Sequence, residues 1–207
     1  MHSIETLSQL ISRFPGIGPR QAKRIVYSLL TQDDIYLSSL SDEIRDLKKH
    51  IKQCVECYAY FYSNDPAEMT HPIMRDSSRD IKTLMVVEKD SDLETMEKSH
   101  LYNGLYFVLG GSLPVVEKDP QKKIRLRELE SFVLKYNPTE IIIAMNATPE
   151  GDNTADFLKE KLEGKATLSI LGRGLSTGTE IEYSDKGPSA INLQKIVNKV
   201  SHLKVVK

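Results

Sequence analysis

Four short apolar runs separated by stretches of helical periodicity constrain this chain more than any other feature. They are Leu84-Met85-Val86-Val87, Tyr106-Phe107-Val108-Leu109, Glu140-Ile141-Ile142-Ile143-Ala144 and Thr167-Leu168-Ser169-Ile170-Leu171. Each is a short apolar run of strand length. Continuous apolar strands of this length are buried on both faces. Helical segments near 92–99, 122–136 and 153–163 lie between the runs. Strand and helix in alternation predict βα units, and so a parallel sheet covered by helices on both sides. A last helix is expected around 188–200, leading into a basic tail.

The first fifty residues have a different texture. Ile4, Leu7, Leu10, Ile11 and Phe14 recur at helical spacing, and Phe14-Pro15-Gly16-Ile17-Gly18 then breaks the pattern. A second helix starts at Pro19, where a missing N–H costs little. Its buried face is expected to carry Ala22, Ile25, Val26, Leu29 and Leu30. A third, near Ser41 to Lys52, shows Ile44, Leu47 and Ile51, with Ser41 as N-cap and Asp42 and Glu43 complementing the dipole. Residues 54 to about 80 read as irregular. The chain thus divides into a helical hairpin region (1–53), a cysteine-bearing region (54–80), an α/β domain (81–170) and a C-terminal segment (171–207).

Lys and Arg total 28 against 29 Asp and Glu, which excludes a global basic field. Nucleic-acid binding would have to come from a local patch. One exists. Gly16-Ile17-Gly18-Pro19 joins the first two helices, and Arg20, Lys23 and Arg24 follow on the first turns of the second. Glycines admit positive φ and close approach of the backbone. A helix N-terminus presents unpaired N–H groups to an anion. Gly16, Gly18, Arg20, Lys23 and Arg24 are therefore the candidate DNA-binding set, and such contacts hold phosphate without reading sequence. A plain αα-hairpin with a glycine turn is the alternative.

The two cysteines, Cys54 and Cys57, have the C-x2-C spacing of half a zinc site. Downstream, His71-Pro72-Ile73-Met74 repeats the x2 spacing, which makes His71 a candidate third ligand. Met74 is a poor fourth, because a thioether carries no charge. The competing reading is a knuckle that has lost its metal and is held by packing, with Tyr58, Tyr60, Phe61 and Tyr62 as its core. No apolar run is long enough to span a membrane, and Met1-His2-Ser3-Ile4-Glu5 does not open a secretory signal. A cytoplasmic protein is expected.

In the α/β domain, Glu88 ends the first apolar run, and Asn146-Ala147-Thr148-Pro149-Glu150-Gly151-Asp152 follows the third. Carboxyl ends of parallel strands are where such folds build sites, so Glu88, Glu150 and Asp152 are expected to converge. The arrangement resembles the Toprim domain of topoisomerases and primases. In catalytic Toprim proteins two aspartates hold Mg²⁺, at the positions filled here by Asn146 and Thr148. Mg²⁺ needs hard, preferably anionic oxygen ligands, so no Mg²⁺-dependent catalysis is expected. The segment Leu171 to Tyr183 is rich in glycine and hydroxyl residues but lacks the Gly-Lys-Ser/Thr of a nucleotide-binding loop.

Taken in order, these pieces resemble the RecR family of recombination mediators over nearly the whole chain. The resemblance rests on Phe14 to Arg20, Ser78-Arg79-Asp80, Phe107 to Gly111, Asn146 to Gly151 and Gly178 to Tyr183. It implies a helix-hairpin-helix region followed by a Toprim-like parallel α/β domain, and a non-enzymatic clamp that assembles as a ring-shaped homotetramer. The implied partners are DNA, at double- and single-stranded junctions, and a RecO-type protein, in some systems also RecF. Together they load a recombinase on single-stranded DNA. Glu88 and Glu150 are implied in partner contact. The family's zinc knuckle has four cysteines, and here His71 and Met74 replace the second pair. A metal-dependent Toprim nuclease or primase-like enzyme is the alternative.

Overall fold

A computed structural model describes residues 2–116 and 123–171. The expected helix at 188–200, the Gly178–Tyr183 motif and nearly all of the C-terminal segment lie outside these residues. The chain falls into two compact units, Met1–Lys52 with Tyr62–Asn64, and Gln53–Phe61 with Asp65–Lys207.

The first unit carries α1 (His2–Ile11), α2 (Pro19–Leu29) and α3 (Asp34–His50). Helices α1 and α2 pack against each other, and Ala22 and Val26 are the fully buried residues of α2. Ile25 and Leu29 are half-buried, whereas Leu30, expected inside, is exposed. Helix α3 begins a full two turns before Ser41. Its cap is Asp33, whose carboxylate accepts the Tyr36 N–H at 2.7 Å. Lys48, Lys49 and His50 occupy its last turn, opposite the negative end of the helix dipole. None of its residues is buried, and Ile44 and Leu47 face solvent in the single chain.

Residues 54–80 are more ordered than expected. Strands β1 (Ile51–Gln53) and β2 (Tyr60–Tyr62) form a two-stranded sheet, and Pro72–Arg75 is a short helix, α4. Of the aromatic residues expected in its core, Phe61 is buried and Tyr58 packs against the core, while Tyr60 and Tyr62 are exposed. The period of two along a strand accounts for that split.

The α/β part runs β3 (Asp80–Val87), α5 (Asp90–Ser99), β4 (Gly104–Val108), α6 (Leu126–Tyr136), β5 (Glu140–Ala144), α7 (Pro149–Leu162) and β6 (Thr167–Ile170). Its four strands pair in parallel in the order β4-β3-β5-β6. The apolar runs are these strands. Val86 sits opposite Phe107 on one side and Ile143 on the other, and all three are buried. Although β4 is an edge strand, every residue in it is buried. Its last N–H, that of Val108, donates to the Cys57 carbonyl at 2.9 Å. The cysteine turn therefore closes that end of the edge.

Arg79, from the Ser78-Arg79-Asp80 stretch, ties three elements together. Its guanidinium donates to both Glu97 oxygens on α5, at 2.9 and 2.5 Å, and to the Gly104 carbonyl that opens β4, at 3.1 Å. It also lies 6.0 Å from the centre of the Tyr106 ring. Burial would raise the Glu97 carboxyl, but the Arg79 guanidinium paired with it outweighs burial and holds the group below its usual range. A carboxyl depressed in the fold stabilises above its unfolded value, roughly 4.3, and that stabilisation is lost as pH falls through the lower folded value. Arg79→Ala is expected to cost about 2 kcal/mol, less than a fully buried broken pair because Glu97 is partly exposed. Urea unfolding at several pH values checks this, since the variant should also show a shallower loss of stability on the acid side.

Candidate functional site

The turn between α1 and α2 follows from its sequence. The Phe14 carbonyl accepts the Ile17 N–H at 3.1 Å, with Pro15 and Gly16 between them. Proline at the second turn position and a glycine at the third, here with φ of +77°, is the pattern of a type II turn. Gly16 is thus required by the backbone. Gly18 is a different case. It is the N-cap of α2, with φ −80° and ψ 168°, a conformation open to any residue. A Cβ built on it would meet nothing within 4 Å. The chain itself does not demand a glycine there.

The first intrahelical bond of α2 runs from the Ala22 N–H to the Gly18 carbonyl, at 2.9 Å. The N–H groups of Arg20 and Gln21 therefore precede the helical ladder, and Gly18 has no side chain to cap them. Arg20, Lys23 and Arg24 are all exposed on this first stretch of helix. The result is a bare helix N-terminus flanked by three cations.

At the carboxyl edge of the sheet, Glu88 follows directly on β3, and the loop after β5 leads into α7. Glu88 is buried, with 5% of its surface exposed. Asn146 donates its side-chain N–H to one Glu88 oxygen at 2.8 Å. The Lys89 ammonium lies 3.1 Å from the other. Thr148 is the N-cap of α7, its hydroxyl accepting the Gly151 N–H at 3.0 Å. So both positions that carry metal-binding aspartates in catalytic Toprim proteins serve the local fold. The expected convergence of Glu88, Glu150 and Asp152 needs correction. Glu150 and Asp152 are exposed in the first turn of α7, and among the described residues no three His, Cys, Asp or Glu side chains group closely enough to hold a metal ion. Gly151 is buried, and a Cβ there would collide with the Asn146 carbonyl. The glycine lets α7 start directly against the loop.

Cys54 and Cys57 lie together, both buried and unbridged. The Cys54 sulfur accepts the backbone N–H groups of Glu56 and Cys57, each at 3.4 Å. Hydrogen bonding from the Cys57 thiol, joined by backbone N–H groups that include that of His71, pulls the Cys54 thiol down to about 5 despite its burial. The same pairing, with burial, pushes the Cys57 thiol up. The His71 ring is not grouped with the two sulfurs. It caps α4 instead, its Nδ1 accepting the Ile73 N–H at 3.1 Å, and it packs edge-on against Phe61.

Comparison with known proteins accords with this layout. A model of the Toprim domain family matches residues 82–171. A protein of Sphingopyxis alaskensis named recombination protein RecR is 36% identical over 188 residues, covering 90% of this chain and 92% of its own. Its namesake in Rickettsia typhi is 38% identical over 197 residues, with 94% and 96% covered. The chain belongs to the RecR family. A third RecR, from Neorickettsia sennetsu, is 35% identical over 91% of this chain. Membership fits the α/β part as a Toprim domain, with helices preceding it.

Two residues important to this site escaped the sequence reading: Asn146 as the partner of Glu88, and Lys89 as its neighbouring cation. The adjacency of Glu88 and Lys89 was a weak signal for the second. Nothing local marked the first, because the two residues lie 58 positions apart.

Proposed function

We propose that this RecR-family chain is a DNA-binding scaffold of recombinational repair and carries out no chemistry on DNA. The observation that carries the reading is the Asn146 to Glu88 hydrogen bond. An amide that donates to a carboxylate takes up one of its acceptor sites and, where a catalytic Toprim protein has a metal-binding aspartate, brings no negative charge of its own. Without a bound cation there is little to stabilise charge developing on a transferring phosphoryl group.

The DNA-binding part of the proposal rests on Gly18. A glycine that neither backbone nor neighbours require leaves room for a phosphate to reach the bare N–H groups of α2, where Arg20, Lys23 and Arg24 add charge. These contacts suit DNA of any sequence, including the junctions of double and single strands. A RecO-type partner, and in some settings RecF, would work with the chain to load a recombinase on single-stranded DNA. For that partner, exposed Glu150 offers a direct contact, and buried Glu88 acts by holding the Asn146 loop. Self-association into a homotetramer is supported by large apolar side chains left exposed in the first unit, among them Phe14, Leu30, Ile35, Ile44 and Leu47. Among the described residues, no helix is long and apolar enough to cross a membrane.

The test is to incubate the chain with plasmid, nicked and gapped DNA in Mg²⁺ or Mn²⁺. The expected outcome is a stable complex with gapped DNA and no cleavage or strand passage in either metal. Cleavage that disappears in Glu88→Ala would replace the scaffold with an enzyme.

A further inference from the structure

The RecR family's knuckle implies zinc, and the residues present here do not fit it. Structural zinc takes four strong ligands, thiolate or imidazole, in a tetrahedron. Cys54 and Cys57 supply two. Met74, at the fourth place, has an uncharged thioether and packs against the hydrophobic core. His71 is the deciding residue. Its Nδ1 accepts the Ile73 N–H at 3.1 Å, so that nitrogen carries no proton. A neutral imidazole then carries its proton on Nε2, and neither nitrogen has a lone pair free for a metal.

The geometry on the two sides of the knuckle is nevertheless alike. In the turn Cys54 to Cys57, the first side chain accepts the N–H two residues on, sulfur from Glu56 at 3.4 Å. In the turn His71 to Met74, the first side chain again accepts the N–H two residues on, imidazole nitrogen from Ile73 at 3.1 Å. The two segments are also linked through the backbone, the Val55 N–H donating to the Met69 carbonyl at 3.1 Å. Phe61 and Ile73, both buried, join the two sulfurs in the apolar core.

We propose that this knuckle is closed without metal, with the His71 imidazole taking over the N–H-accepting role of a thiolate and apolar packing replacing the ion. A side chain that can accept the same N–H should therefore stand in for His71, whether or not it can bind zinc. Asparagine is such a residue, being a strong N-cap and a poor zinc ligand.

The experiment uses the full-length, untagged chain. Zinc is measured by elemental analysis after dialysis against a chelator, and thermal midpoints are compared for the wild type, His71→Asn and His71→Ala, each with and without added Zn²⁺. The expected result is well under one zinc per chain and a midpoint that neither chelator nor Zn²⁺ moves. His71→Ala should lose roughly 2–4 °C, the shift that corresponds to one lost cap in a chain of this size, and His71→Asn should keep most of it. Stoichiometric zinc that survives the chelator would overturn the proposal. So would a His71→Asn variant as unstable as His71→Ala, because a ligand's role, unlike an acceptor's, is not restored by an amide.

Discussion

Replacing Arg20, Lys23 and Arg24 together by alanine is expected to weaken binding to gapped duplex DNA on the order of a hundredfold or more at low salt, with no change in thermal midpoint. On the proposed DNA-binding reading each would contribute a charge-assisted hydrogen bond to phosphate, worth roughly 1.5–3 kcal/mol, and even partial engagement of three such groups reaches this range. All three side chains are exposed, so their loss leaves the α1–α2 packing untouched. The loss should be uniform across sequences, since phosphate contacts position a protein without reading bases. It should also reduce the slope of log affinity against log salt by roughly 0.9 for each contact removed. Anisotropy titrations over a range of salt concentrations measure both quantities. Unchanged affinity and slope would make the hairpin purely structural.

Gly151→Ala should cost about 3 kcal/mol, near the upper end for an overpacked interior site. The added methyl would strike the Asn146 carbonyl, which is backbone and has no rotamer to escape into. Relief requires α7 to slide, and that movement strains both the Thr148 cap and the Asn146 to Glu88 bond. For a chain of this length the midpoint should fall by roughly 6–12 °C. Gly18→Ala is the control, with ordinary dihedrals and open space around it. Its midpoint should fall only by the roughly 2–4 °C of a poorer N-cap, while DNA affinity drops. If calorimetry finds the two variants equally stable, the close approach at Gly151 is relieved more easily than the rigid loop implies.

The sheet was readable from sequence because its signal is local: apolar runs of four or five residues need no partner to be recognised. Helix α3 was readable only in part. Its first turns, Asp34 to Leu40, place Ile35 and Tyr36 in solvent, so no buried stripe announced them, and Ser41 offered itself as a cap inside a helix already capped by Asp33. The strands at Ile51–Gln53 and Tyr60–Tyr62 were missed because three residues are too few to display a period of two. Arg79 stood out in a motif, but its purpose did not, since Glu97 and Gly104 lie 18 and 25 residues away and only the fold brings them to it. The same holds at the candidate site. That Asn146 and Thr148 cannot bind Mg²⁺ well follows from their chemistry. That one of them instead grips Glu88, and the other caps α7, required the structure.

The bond from the Val108 N–H to the Cys57 carbonyl has a consequence for solubility. Strand β4 is entirely buried, and a long apolar strand with an open edge is a template for pairing with other chains. The cysteine turn acts as a guard over that edge. Damage to the knuckle, by oxidation of Cys54 and Cys57 or by loss of the α4 cap, would therefore surface first as chains sticking to one another, with the helices of the Toprim domain still in place.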